Sequence, residues 1–226
     1  MTTPTQNYNA LFFPESSLSI QFNKIAGTSI SPGGRFAGEH LNLNAIYQFD
    51  VGIAPGKTYS TNRQYILGVE NDMNKGSIIA YSPSSALTSY MGTLTSPQIG
   101  QITITNPSAG DTSITINTSS VTDNPSGFIV RKGDYIQPIG SKYPFQATSD
   151  VAWSSGSVSI PINRGFLVTS GVTNYTGIIL GNSVSFYVKY AEQNTYAVVP
   201  YDLLQYEKTK IRLIEVTGLW VHQYQK

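Results

Sequence analysis

Cysteine is absent from the 226 residues. This excludes disulfides, thiolate zinc sites and cysteine nucleophiles, and leaves stability to packing and assembly. Histidine occurs twice, at His40 and His222, and neither stands at metal-ligand or triad spacing from an acidic side chain, so both are read as structural. Charge is scarce. Asp, Glu, Lys and Arg make up 12 % of the chain, and an ordinary soluble domain has about twice that fraction. The formal net charge is +1 and the basic residues are scattered, so no field favours nucleic acid or an anionic membrane. No apolar run approaches the ~20 residues of a membrane span, and the N-terminal stretch lacks the basic start and apolar core of a secretory signal. The expectation is a chain made and kept in the cytosol, without membrane insertion.

What remains is apolar and hydroxyl-rich: 40 % hydrophobic residues, 15 Tyr, and a polar surface supplied largely by Ser, Thr, Asn, Gln and Gly. Aromatic enrichment with charge depletion marks surfaces that become interface cores.

Residues 11–54 read as extended segments broken by the turn cluster Ser31, Pro32, Gly33 and Gly34. Within them Tyr47, Phe49 and Val51 line one face of a half-buried strand. The best helix candidate is 60–73. There Thr61 and Gln64 form a capping box, Tyr65, Ile66, Val69 and Met73 share a face, and Gly76 stops the helix. A shorter helix is predicted from Ser82, with Pro83 as its first residue, to Gly92.

From Gln98 the texture changes to short strands separated by turn residues. Residues 101–105 and 112–117 alternate strictly, with Asn106 to Asp111 as a hairpin-like connection. Further strands are predicted at 128–130, 134–136, 158–162 and 177–180, a recurrence that indicates a sandwich or barrel. Strands at 184–189 and 208–216 each have one solvated face. The step in composition near 98 and the return of charge after 186 divide the chain. Residues 1–97 with 183–226 form an outer β domain, and 98–182 an inserted β domain.

Recognisable chemistry is sparse. Gly52 to Thr58 looks like a phosphate-binding loop but has three residues between its glycines where the motif needs four, and Pro55 removes a donor. The acidic residues are dispersed, with no pair marked as acid and base. The expectation is no catalytic residue, no metal and no cofactor, hence not an enzyme. Tyr187, Tyr190, Tyr196 and Tyr201 suit sugar stacking but fit core and subunit interface better. Trp153, beside a turn, is the leading single candidate for an exposed contact, with burial in the insert as the favoured alternative. Gly133 and Asp134 are the turn candidates, and Val188, Ile211 and Trp220 the interface candidates.

The segment from Phe128 through Lys132, Gly133 and Asp134 to Gly140 is followed by Thr148, Ser149, Asp150 and Val151. The strand-like stretch from Gly156 to Arg164, containing Val158, Ser159, Ile160, Pro161 and Ile162, comes next. This succession resembles a strand-and-turn pattern of minor and distal tail proteins of tailed bacteriophages. The flanking order agrees: strand at 45–51, helix at 60–73, strand at 76–81, β insert, closing strands. The resemblance covers roughly residues 40–217. It implies a mainly β, tail-tube-like antiparallel sandwich or barrel, with one or two short helices and an inserted small β domain. It further implies a homo-oligomeric ring, hexameric with a trimer as the alternative, at the distal tail or baseplate hub of a virion assembled in the host cytoplasm. Partners would be its own copies and the neighbouring tail-tube and tail-tip proteins. The alternatives are a receptor- or carbohydrate-binding tail module and a capsid decoration protein.

Overall fold

A computed structural model of the chain describes residues 12–14, 21–23, 27–30, 36–39, 46–53, 64, 67–69, 71–72, 75–83, 88–122, 125–191, 200–201, 205–206 and 210–217. The fold is mainly β. It divides into two compact units, Met1–Ile79 with Val188–Lys226, and Ala80–Tyr187. In chain order the strands begin with β1 (Phe12–Pro14), β2 (Gln21–Asn23), β3 (Gly27–Ile30), β4 (Phe36–Glu39), β5 (Ile46–Ile53) and β6 (Ile79–Tyr81). Next come β7 (Thr103–Ile104), β8 (Ser113–Asn117), β9 (Phe128–Val130), β10 (Tyr135–Pro138), β11 (Phe145–Gln146), β12 (Val151–Ala152), β13 (Ser157–Pro161) and β14 (Ile178–Leu180). The chain closes with β15 (Phe186–Tyr190), β16 (Pro200–Tyr201), β17 (Gln205–Tyr206) and β18 (Lys210–Glu215).

In the first unit β5 is the organising strand. Its one edge takes β1 near its end and β2 near its start, and its other edge pairs with β18 from Gln48 to Gly52. β18 in turn pairs with β15, Val188 opposite Glu215. The predicted half-buried strand is in fact buried on both faces. Ile46, Gln48 and Asp50 are buried, slightly less completely than Tyr47, Phe49 and Val51, so the strand, laddered on both edges, has no solvated face. Two carboxylates enter this interior. Asp50 lies directly opposite Arg212, whose Nε donates to its Oδ1 at 3.0 Å. Glu215 shares the buried face of Ile211 and Leu213, and its Oε2 accepts the Tyr47 N–H at 3.2 Å. Val188 and Ile211 were expected on interface strands. Both side chains are buried within the protein itself, so neither presents a face to another subunit.

β3 and β4 pair from Gly27↔Glu39 to Ile30↔Phe36 and bracket the predicted turn cluster, which itself lies outside the described residues. In the helical segment Gln64, Leu67–Val69, Asn71, Asp72 and Lys75 are helical, and Val69 is buried. Helical backbone thus occurs at Lys75, past the predicted end at 73. It stops on Gly76 at φ 62, with the Ser77 N–H bonded to the Asp72 carbonyl at 2.9 Å. This is the left-handed glycine cap that only a residue without Cβ adopts at no cost. The second predicted helix is corrected at its end: Thr88 is helical but 89–92 are not, Pro83 is not helical, and 84–87 lie outside the described residues.

The second unit gathers three small sheets, β11-β10-β14, β12-β9 and β13-β8-β7, around one core. The alternation in β8 turns Ile114 and Ile116 inward, and Ile160 of β13 sits directly opposite Ile114. Phe145 stacks on Phe166 at 5.0 Å and Tyr175 meets Phe166 edge-on at 5.5 Å. A short helix, Ser96–Gly100, stands where strand texture was expected to begin. Gln98 caps it, accepting the Thr95 N–H at 2.9 Å.

The unit boundaries lie at 80 and 187, not at 98 and 182. The reason is hydrogen bonding that composition does not show. The Tyr90 hydroxyl donates to the Ile129 carbonyl, the Thr93 N–H to the Phe128 carbonyl at 2.9 Å, and Leu94 is buried in the core of this unit. Residues before Gln98 are therefore part of the β unit.

Candidate functional site

The predicted turn is a β-turn from Arg131 to Asp134, closed by the Asp134 N–H on the Arg131 carbonyl at 3.0 Å. Gly133 occupies its third position at φ 100, where the type II turn requires a positive φ. Asp134 is buried, and its two carboxylate oxygens are both used. Oδ1 accepts the Met91 N–H and Oδ2 the Arg131 N–H, each at 2.8 Å. Asp134 is thus a clamp between the turn and the 90–94 segment, which sequence spacing did not foretell. Tyr90 completes the clamp, since its hydroxyl also accepts the Leu94 N–H at 3.3 Å. Burial pushes its pKa up to about 12; the Leu94 bond pulls it down and the Asp134 charge adds to the rise. Lys132 N–H donates to Asp150 Oδ1 at 2.8 Å, and Arg131 lies 4.4 Å over the Phe128 ring.

Trp153 is half-buried against the core of this unit, with its N–H on the Gly127 carbonyl at 2.8 Å. It is neither a free contact residue nor fully interior. Tyr187 is half-buried beneath Lys142, whose Nζ lies 5.5 Å from the ring centre, and Tyr190 is buried. These two tyrosines therefore offer no open stacking platform. Trp220, His40, His222, Tyr196 and the side chain of Tyr201 lie outside the described residues. Gly52 and Ile53 of the phosphate-loop look-alike are the last residues of β5. Among the described residues no three acidic or histidine side chains converge on a metal-sized site, and no helix is long and apolar enough to cross a membrane.

The structure brings together one group that sequence reasoning passed over. In the sheet β13-β8-β7, cross-strand partners share a face. Ser157, Asn117 and Thr103 stand side by side, Ser159 lies opposite Thr115, and Pro161 opposite Ser113. Ile104, Ile114, Ile116, Val158 and Ile160 point to the core. The opposite face is left with hydroxyls and amides, and with Pro161 at one end. At one end it dips into a polar hollow of about 300 Å³ lined by Thr105, Asn106, Pro107, Asp111, Thr112, Ser113 and Thr115. The signal in the sequence is the strict Thr and Ile alternation, whose Thr positions mark the exposed face as its Ile positions mark the buried one.

The fold and this surface define a two-unit, mainly antiparallel β protein. No protein-family model matches the chain, and no curated protein matches it in sequence.

Proposed function

We propose that this protein is a structural component of a bacteriophage tail, one copy in a ring at the distal tail or baseplate hub around the DNA channel. The observation that carries the reading is the layout of the chain. The two ends supply the first unit, organised around β5, and one continuous stretch, Ala80–Tyr187, forms a second β unit between them. That order is the one in which the tail-protein strand-and-turn pattern runs. Small sheets with open edges aggregate unless those edges are paired or covered. A rotational ring pairs them between copies and ends growth at a set number. A net charge of +1 suits a channel wall that must let phosphates pass without holding them.

The experiment is native mass spectrometry and negative-stain microscopy of the purified protein, together with antibody labelling of virions. A closed ring, hexameric for preference, and label at the tail end away from the capsid are expected. A protein that stays monomeric at all concentrations, with label on the capsid or absent, rejects the assignment.

A further inference from the structure

The polar hollow on the β13-β8-β7 face has a chemistry of its own. Its walls are pinned from behind. Asn106 uses Oδ1 to accept the Tyr175 N–H at 2.8 Å. Thr105 N–H bonds the Thr115 carbonyl at 2.9 Å, and Ile162 N–H bonds the Thr112 carbonyl at 2.9 Å. Asp111 accepts the Ser108 N–H on Oδ2 at 2.7 Å. Its other oxygen has no protein partner among the described residues, and neither do the hydroxyls of Thr105, Thr112, Ser113 and Thr115. The hollow is thus a fixed backbone frame carrying hydroxyls that both donate and accept, and a carboxylate oxygen that only accepts.

The lining selects its ligand by exclusion. Asp111 is its only charged residue, so phosphate, nucleic acid and acidic sugars meet repulsion and no cation. A calcium ion needs 6–8 oxygen ligands and more than one carboxylate to hold it tightly. A protein partner anchors through Trp, Tyr or Arg in a dry pocket, with Ser and Thr under-represented among the anchors. Pro107 is the one apolar residue in the lining. What remains is a neutral molecule that presents many hydroxyls at close spacing and one C–H face for Pro107. We propose that this hollow binds an uncharged saccharide, with Asp111, Thr112, Ser113 and Thr115 hydrogen-bonding its hydroxyls and the Ser/Thr face of β13-β8-β7 extending the site for a longer chain. The inference stands apart from the tail assignment, since it concerns a face of the second unit alone.

The full-length protein, labelled at threonine methyl groups, is titrated with glucose, galactose, N-acetylglucosamine and their short oligomers, with glucuronate as the acidic comparison. Saturable shifts at Thr105, Thr112 and Thr115 with at least one neutral sugar are expected, tighter for its oligomer, and none with glucuronate. Thr115→Val keeps the branched shape that a strand favours and should weaken binding about three- to tenfold, the worth of one neutral hydrogen bond. Asp111→Asn keeps an acceptor for Ser108 and should weaken it as well. Ser113→Ala is the second variant should Thr115→Val disturb the sheet, and unshifted methyl signals elsewhere show that each variant is folded. No saturable shift with any neutral probe, equal affinity in all three variants, or a preference for glucuronate overturns the proposal.

Discussion

Gly133 and Asp134 divide the work of one turn between backbone shape and hydrogen bonding. A Cβ at Gly133 would meet only the Met91 Cε at 3.4 Å, so space is ordinary there and φ 100 supplies the whole penalty. Gly133→Val should lower unfolding stability by about 1–3 kcal/mol, read as a fall in denaturant midpoint at unchanged slope; an unmoved midpoint would show that the turn relaxes freely. Asp134→Asn replaces one of two acceptors with a donor that faces an N–H, from Met91 or from Arg131. A loss of about 1–3 kcal/mol is expected from that unmatched buried pair. Tyr90 brings in pH. Burial disfavours its phenolate, so the folded chain keeps the proton to about pH 12 while the ordinary value is 10.0. The folded state therefore holds more protons than the unfolded one above pH 10.0, and stability falls as pH rises from there toward 12. Tyr81, also raised by burial to about 12, acts with the same sign. Tyr90→Phe should be less stable at neutral pH, for want of the Ile129 bond, yet decline less steeply in alkali. Parallel decline of the two proteins in urea midpoints across that range would remove Tyr90 from the account.

The strands show where periodicity carries information and where it stops. β8 and β13 stand almost where alternation puts them, because each has one face on a core and one toward water, and a period of two is visible only in that situation. β5 broke the rule by being covered on both faces, which makes Gln48 and Asp50 buried residues that no hydropathy pattern reveals. The helix Ser96–Gly100 has no buried residue and so left no apolar stripe to read; its legible signal was Thr95 with Gln98, three residues on. β11 and β12 are two residues long and leave no period at all. The same logic corrects the expectation for Val188. Alternation puts it on a strand, and the protein's own interior takes its side chain. Val188→Lys should thus abolish cooperative unfolding or solubility whether or not subunits assemble, since a buried unpaired ammonium costs about 3 kcal/mol or more. Val168, 46 % exposed, is the matched control, and Val168→Lys should leave the midpoint within about 0.5 kcal/mol. A soluble Val188→Lys protein with a normal midpoint would mean that this face is open after all.

At the scale of the whole chain the two candidate boundaries of the inserted unit make different physical predictions. A cut at 98 and 182 follows composition, whereas a cut at 80 and 187 follows contacts. The shorter fragment would lose Leu94 from the core, leave Asp134 Oδ1 without the Met91 N–H, and strip the Ile129 carbonyl of the Tyr90 hydroxyl. It would also lose Ser185, which donates its N–H to Gln137 Oε1 at 2.8 Å, and Phe186, which meets Tyr135 edge-on at 5.8 Å. Gln137 is buried, so removing its partner exposes an interior amide to a mismatch and not merely a surface to water. The longer fragment keeps all of these and has a continuous core of its own, the condition for a domain to fold alone. Residues 80–187 expressed by themselves should therefore unfold in one cooperative transition by near-UV circular dichroism and calorimetry. Residues 98–182 should be several kcal/mol less stable, since one buried Leu alone is worth about 2–5 kcal/mol, and should melt broadly or not fold at all. Equal, sharp transitions in the two fragments would mean that the 90–94 segment and Ser185 only decorate the unit, and that the composition step near 98 marks its physical edge.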